Sequence, residues 1–143
     1  DAGAKVQNLL TKGSLNHLTH QLKKTSSQHF KEISQTVSLA TKNDITTNVY
    51  LEDWSNGMRN SKAYVFEFLA FLKTQNVARI MLPDTLGVLT PKESYDFIKE
   101  IKDAYPDLHF DFHAHNDYDL GVSNVMEGLK AGADGLHLTV NGM

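Results

Sequence analysis

Leu108-His109-Phe110-Asp111-Phe112-His113-Ala114-His115-Asn116-Asp117 alternates between two kinds of side chain. A β-strand has a side-chain period of two. His109, Asp111, His113 and His115 therefore share one face, and Phe110, Phe112 and Ala114 share the other. The same division recurs upstream. In 45–52, Thr46, Asn48, Tyr50 and Glu52 oppose Ile45, Val49 and Leu51; in 78–85, Arg79, Met81 and Thr85 oppose Ile80 and Leu82. A parallel sheet covered by helices on both faces should be oily on both. Strands that are oily on one side and polar on the other fit a barrel wall, with the oily side against outer helices and polar residues pointing inward near the C-terminal mouth.

Working outward from that stretch, short apolar strands alternate with helix-length periodic segments. Strands are expected at 5–10, 45–52, 78–82, 109–115 and 135–140. Helices are expected at 26–41, 61–74, 91–104 and 120–130. Turns are expected at 11–14 and 53–57. The helix at 26–41 shows a stripe of Phe30, Ile33, Val37 and Ala40. The helix at 120–130 shows one of Val122, Val125, Met126 and Leu129. Thr90-Pro91-Lys92-Glu93 combines an N-cap threonine, Pro at the first helical position and Glu at the third, which is a strong helix start. The order βαβαβαβαβ implies a parallel sheet with helical crossovers. No G-x-G-x-x-G turn follows the first strand, which argues against a dinucleotide-binding doubly wound sheet. The expected fold is a (β/α)8 TIM barrel. Five strands cannot close one, so residues 1–143 are expected to be part of a larger catalytic domain.

The 143 residues suffice for a hydrophobic core, and the formal net charge of −3 predicts no polyanion-binding stripe and hence no nucleic-acid partner. There are no cysteines, which excludes disulfides and thiolate metal ligands within the segment. No apolar run approaches the roughly 20 residues of a membrane span. Asp1-Ala2-Gly3-Ala4-Lys5 does not read as a signal peptide. A cytoplasmic location without membrane attachment is the expectation.

His113 and His115 are the first candidates for chemistry. Two imidazoles at i and i+2, where a strand runs into a loop, are placed to reach one divalent ion. A third ligand must come from elsewhere. Neutral imidazoles with a carboxylate suit Zn, Mn, Co or Mg. Glu52 ends its strand on the Tyr50 face and is a candidate mouth carboxylate. Thr85, in Leu82-Pro83-Asp84-Thr85-Leu86-Gly87, is a candidate hydroxyl donor to a bound carboxylate, although Pro, Asp and Gly there also suit a plain turn. His17 and His20, three apart in a segment of helical character, read as a solvated face. His29 and His137 carry no further signal.

Leu82-Pro83-Asp84-Thr85-Leu86-Gly87-x-x-x-Pro91, Phe112-His113-Ala114-His115-Asn116-Asp117 and Thr139-Val140-Asn141-Gly142 resemble the catalytic barrel of the 2-isopropylmalate, homocitrate and citramalate synthases, whose wider relatives include hydroxymethylglutaryl-CoA lyase. The stretches 8–14 and 48–57 resemble most the (R)-citramalate synthase branch. The resemblance implies that the chain covers about strands three to seven, with His113 and His115 as metal ligands. It also implies that Thr85 holds a 2-oxo-acid carboxylate and that Glu52 assists near the acetyl-CoA methyl. Isopropylmalate synthases carry a small residue at the position of Tyr50. A phenol there, with Leu10 beside it, favours pyruvate over 2-oxoisovalerate. The co-substrates implied are acetyl-CoA and the 2-oxo acid, and the complete protein is expected to be a homodimer. The family's Arg-Asp-Gly motif, which brings the third metal ligand and an arginine that polarises the keto oxygen, does not occur in this sequence. Nor does its Gly-Glu-Arg-Ala-Gly-Asn motif, and the segment alone is expected to be inactive. A 2-isopropylmalate synthase using 2-oxoisovalerate, a lyase running the reverse reaction, an amidohydrolase-type barrel and a purely structural segment are the competing readings.

Overall fold

A computed structural model describes residues 3–140. Five strands form one parallel sheet: β1 (Val6–Lys12), β2 (Thr46–Glu52), β3 (Arg79–Asp84), β4 (Phe110–Ala114) and β5 (Gly135–Leu136). Their spatial order is β1-β2-β3-β4-β5, the order in the chain. A doubly wound sheet reverses direction at a switch point, whereas a barrel adds each strand on the same side of the last. The sequential order is that of a barrel wall.

The register aligns residues of like parity. Leu10, Tyr50, Met81, Asp111 and Gly135 are neighbours along one row; two residues on, Lys12 pairs with Glu52 and Pro83 with His113. The opposite parity supplies the core. Val49, Leu51, Ile80, Leu82, Phe110 and Phe112 pack under Ile33 and Val37 of α2 (Ser26–Lys42) and under Val65, Phe68, Leu69 and Leu72 of α4 (Lys62–Leu72). Ile98 and Ile101 of α5 (Pro91–Ala104) and Val125 of α6 (Gly121–Lys130) complete that layer. The helix start that the sequence marks at Thr90 is capped, and so is one it did not mark, at Thr25. Thr25 with Gln28 and Thr90 with Glu93 each form a reciprocal capping box.

The structure departs from the sequence reading at several places. The turn expected at 11–14 begins later, because β1 continues to Lys12, and a short helix α1 (Leu15–His17) runs on into a π-helical turn (Leu18–Leu22). The turn expected at 53–57 is the start of a helix, α3 (Trp54–Asn60). Gly57 is there for space, not for a turn: a Cβ on it would lie 2.2 Å from the Gly13 carbonyl oxygen. Pro83 sits within β3, not after it. The strand expected at 135–140 pairs only through Gly135–Leu136.

The stripe expected on α6 is mostly wrong. Val122, Met126 and Leu129 are exposed, and the buried side is Gly121, Asn124, Val125 and Gly128. A Cβ on Gly128 would lie 2.8 Å from Phe112, so the helix approaches β4 through its small residues. No helix among the described residues is long and apolar enough to cross a membrane.

Candidate active site

The C-terminal ends of the strands bring together what the sequence holds apart. Leu10, Tyr50, Glu52, Pro83, Thr85, His113, His115 and His137 line one open cleft of about 290 Å³. All six residues singled out in the sequence as metal, substrate or catalytic candidates are among them. Leu10 stands at the rim, 63 % exposed.

His113 and His115 lie on the same face, as their parity requires, with ring centroids 5.0 Å apart. His113 has a depressed pKa, first because burial penalises its charged form and then because His115 and His137 lie close. It is thus held as the neutral imidazole that binds metal ions. Its Nδ1 is buried and has no hydrogen-bond partner. A donor pair of this kind, with one ring nitrogen left without a partner, fits a divalent ion. Among the described residues no set of three His, Asp or Glu side chains is gathered to complete such a site.

The Thr85 hydroxyl accepts a hydrogen bond from the Asp53 backbone N–H at 2.9 Å. That contact leaves the hydroxyl proton available to a ligand in the cleft. Asp53 adopts a left-handed backbone, φ +63°, which Asp tolerates better than most residues. Its buried carboxylate accepts from the Ser14 hydroxyl at 2.6 Å and from the Asn56 amide at 2.7 Å. The turn from β2 into α3 is therefore held from both sides, and it is this turn that aims Thr85.

Glu52 pairs with Lys12 across the β1–β2 register. Lys12 is fixed in turn by its backbone N–H, which donates to His29 Nε2 at 3.3 Å, and by its carbonyl, which accepts from the Tyr64 hydroxyl at 2.8 Å. Burial lowers the His29 pKa to about 4 and keeps it a neutral acceptor. His29, which carried no signal in the sequence, is thus a buried support of the β1 terminus.

Two histidines need correction. His17, read as part of a solvated face, is mostly enclosed, with Nε2 3.4 Å from Asp53 Oδ2. His20 is exposed, as expected. The pair lines a larger hollow of about 650 Å³ beside the cleft, with Ser14, Asp53 and Asn56, but the two hollows share no residue. His137, set aside in the sequence, belongs to the cleft. Its ring lies 5.9 Å from that of His113 and 5.7 Å from that of Tyr50. Register, not a local pattern, places it there. Asp111 pairs with Gly135 in register, so two residues on, His137 falls beside His113.

The HMGL-like family profile matches residues 1–143. The chain belongs to this family. It is 35 % identical over 127 residues to 2-isopropylmalate synthase 2 of Caldanaerobacter subterraneus subsp. tengcongensis, covering 89 % of this chain and 32 % of that protein. It is 31 % identical over 127 residues to homocitrate synthase of Sulfolobus acidocaldarius, covering 89 % and 26 %. The chain thus spans about a third or less of the curated relatives it matches. Hydroxymethylglutaryl-CoA lyase of Pseudomonas aeruginosa superposes with a TM-score of 0.84 at 16 % identity, over 96 % of this chain and 47 % of that one. The HMG-CoA lyase of Acinetobacter baumannii, solved in complex with coenzyme A and 3-methylmalate, superposes with a TM-score of 0.76 at 20 % identity, over 92 % and 44 %. These likenesses agree with the strand order: the HMGL-like chain is a partial TIM barrel. The family resemblance of Thr139-Val140-Asn141-Gly142 falls partly on Asn141 and Gly142, which lie outside the described residues.

Proposed function

We propose that this HMGL-like chain is part of the catalytic barrel of an enzyme that joins acetyl-CoA to a 2-oxo acid, and that the acid is pyruvate, giving citramalate. One observation carries the proposal: Tyr50, Glu52, Thr85, His113 and His115, from three strands and the loops beyond them, converge on a single cleft. The relatives named 2-isopropylmalate synthase and homocitrate synthase support the condensing class.

His113 and His115 would hold a divalent ion, Zn, Mn, Mg or Co, which when bound supplies Lewis acidity to the keto carbonyl. Thr85 donates its free hydroxyl proton to the acid's carboxylate and so orients the keto carbon. Glu52, fixed by Lys12, would assist as the acetyl methyl gives its proton to a base. The methyl carbon then bonds to the keto carbon, the keto oxygen takes a proton, and water cleaves the thioester to release CoA. Tyr50 and Leu10 bound the space beside the keto group. A methyl fits there more readily than an isopropyl group. The family's Arg-Asp-Gly and Gly-Glu-Arg-Ala-Gly-Asn motifs do not occur in residues 1–143, so this segment by itself is expected to be inactive.

The relative named 2-isopropylmalate synthase favours a second reading, with 2-oxoisovalerate as the acid. The phenol of Tyr50 opposes it by volume. Release of CoA by the complete protein, measured with pyruvate and with 2-oxoisovalerate, separates the two. Wild type should prefer pyruvate. Tyr50→Ser should shift relative kcat/KM toward 2-oxoisovalerate by at least about tenfold, the low end of what one methylene discriminates, the two acids differing by two. A wild type that prefers 2-oxoisovalerate overturns the pyruvate assignment. A wild type that releases CoA with neither acid overturns the condensation reading.

A further inference from the structure

Tyr50 limits the cleft only if its ring is held in place, and the structure shows what holds it. The Tyr50 hydroxyl lies 3.2 Å from His137 Nδ1. The other ring nitrogen, Nε2, lies 3.7 Å from Asp111 Oδ2. That distance is within ion-pairing reach and beyond a direct hydrogen bond. Asp111 is 2 % exposed and is itself anchored, with Oδ1 2.7 Å from His109 Nε2 and Oδ2 accepting from Arg79 at 3.2 Å. A fixed carboxylate beside Nε2 favours the proton there. Nδ1 is then the acceptor, and the Tyr50 hydroxyl is its donor.

The backbone is arranged for this chain of contacts. Gly135 faces Asp111 across the β4–β5 register, and a Cβ on it would lie 2.4 Å from Asp111 Oδ1. A glycine there lets the carboxylate lie against β5. His137 then donates its backbone N–H to the Phe112 carbonyl at 2.9 Å, which fixes its Cα beside His113 and its ring over the cleft.

We propose that His137, oriented by Asp111, is a positioning residue that holds the Tyr50 phenol across the cleft and so sets the size of the 2-oxo acid accepted. The inference rests on the condensation reading and deepens it. It differs from a packing role in its consequence: loosening the phenol must change the choice between acids, not merely lower activity.

The test uses the complete protein. CoA release is measured with pyruvate and 2-oxoisovalerate for wild type, His137→Ala, His137→Gln, Tyr50→Phe, Asp111→Asn and the double variant His137→Ala/Tyr50→Phe. His137→Ala and Tyr50→Phe should each raise the relative kcat/KM for 2-oxoisovalerate by about tenfold, the low end of what pocket fit discriminates. The double variant should shift no further than either single one, because both break the same contact. Asp111→Asn should shift the ratio in the same direction. His137→Gln keeps a polar partner for the phenol and should stay near the wild-type ratio, which also covers a failure of His137→Ala to fold.

Calorimetric titration with Mn²⁺ gives a readout apart from turnover. His137→Gln should bind the ion as wild type does, and a loss of affinity would make His137 a metal ligand and overturn the positioning role. An active wild type with an unchanged ratio in His137→Ala overturns this inference alone. Absence of CoA release by wild type with either acid overturns the condensation reading beneath it.

Discussion

Glu93 ties the fold around the cleft, and its removal has a calculable cost. Arg59 of α3 donates Nε to one carboxylate oxygen at 2.8 Å and Nη2 to the other at 2.7 Å. Thr90 adds its backbone N–H at 2.9 Å and its hydroxyl at 2.8 Å. Arg59 also donates to the Val88 carbonyl at 2.7 Å, which joins the helix after Asp53 to the loop after Thr85. The Arg59 hydrogen bonds above all, with the Thr90 donors and against a smaller opposing effect of burial, hold the Glu93 pKa at about 2, down from 4.5.

The folded-state value is the lower one, so on acidification the unfolded chain takes up the proton first. The stabilisation is therefore fully present above about pH 4.5 and is lost as pH falls toward about 2. At face value the difference corresponds to about 3 kcal/mol. Glu93 is 29 % exposed, and solvent screening reduces that to about 1–2 kcal/mol. Glu93→Gln removes the charge and keeps the size. Urea unfolding of the intact protein and this variant, at pH 7, 5, 4 and 3, should show the variant less stable by about 1–2 kcal/mol at pH 7. The gap should narrow steadily from pH 5 to 3. A gap of the same size at pH 7 and pH 3, or none at pH 7, would refute the reasoning.

Three further outcomes are expected. His115→Ala in the complete protein should weaken divalent-ion binding by more than about 100-fold, since loss of a direct ligand should exceed the loss of an outer-shell partner, and turnover should fall with it; calorimetric titration with Mn²⁺ and CoA release check both. Thr85→Val should raise KM for the 2-oxo acid by about 10- to 100-fold, the worth of one hydrogen bond to a charged group, while Thr85→Ser stays near wild type; equal KM values in the two variants would remove Thr85 from the carboxylate site. Gly57→Ala should destabilise by about 1–3 kcal/mol through overpacking against the Gly13 carbonyl, seen as a lower urea midpoint.

Much of the barrel was legible in the sequence because strand parity is a local property. The alternation in 45–52 and in 108–115 separates an oily face from a polar one without knowledge of any neighbour, and the observed register preserves that separation. The same parity put Tyr50, Glu52, His113 and His115 on the inner face. The capping box at Thr90 was also readable, since it involves only residues three apart.

What escaped depends on contacts between elements distant in sequence. Asn56-Gly57 looks like a turn, and only the approach of Gly13 shows why a helix needs glycine there. The α6 stripe was misjudged because large apolar residues mark a buried face when helices stand off from the sheet. This helix approaches Phe112 so closely that glycine and asparagine take the inner side. His137 is one residue past β5 in a segment with no motif of its own. It enters the site only because the β4–β5 register sets Gly135 beside Asp111 and thereby His137 beside His113. The chain's own periodicities determined most of the strands, their faces and the shared face of His113 and His115. Tertiary packing decided which helix faces are buried, how Thr85 and Glu52 are aimed, and that a third histidine stands over the cleft. Register and close approach join residues far apart in the chain, and no local pattern encodes them.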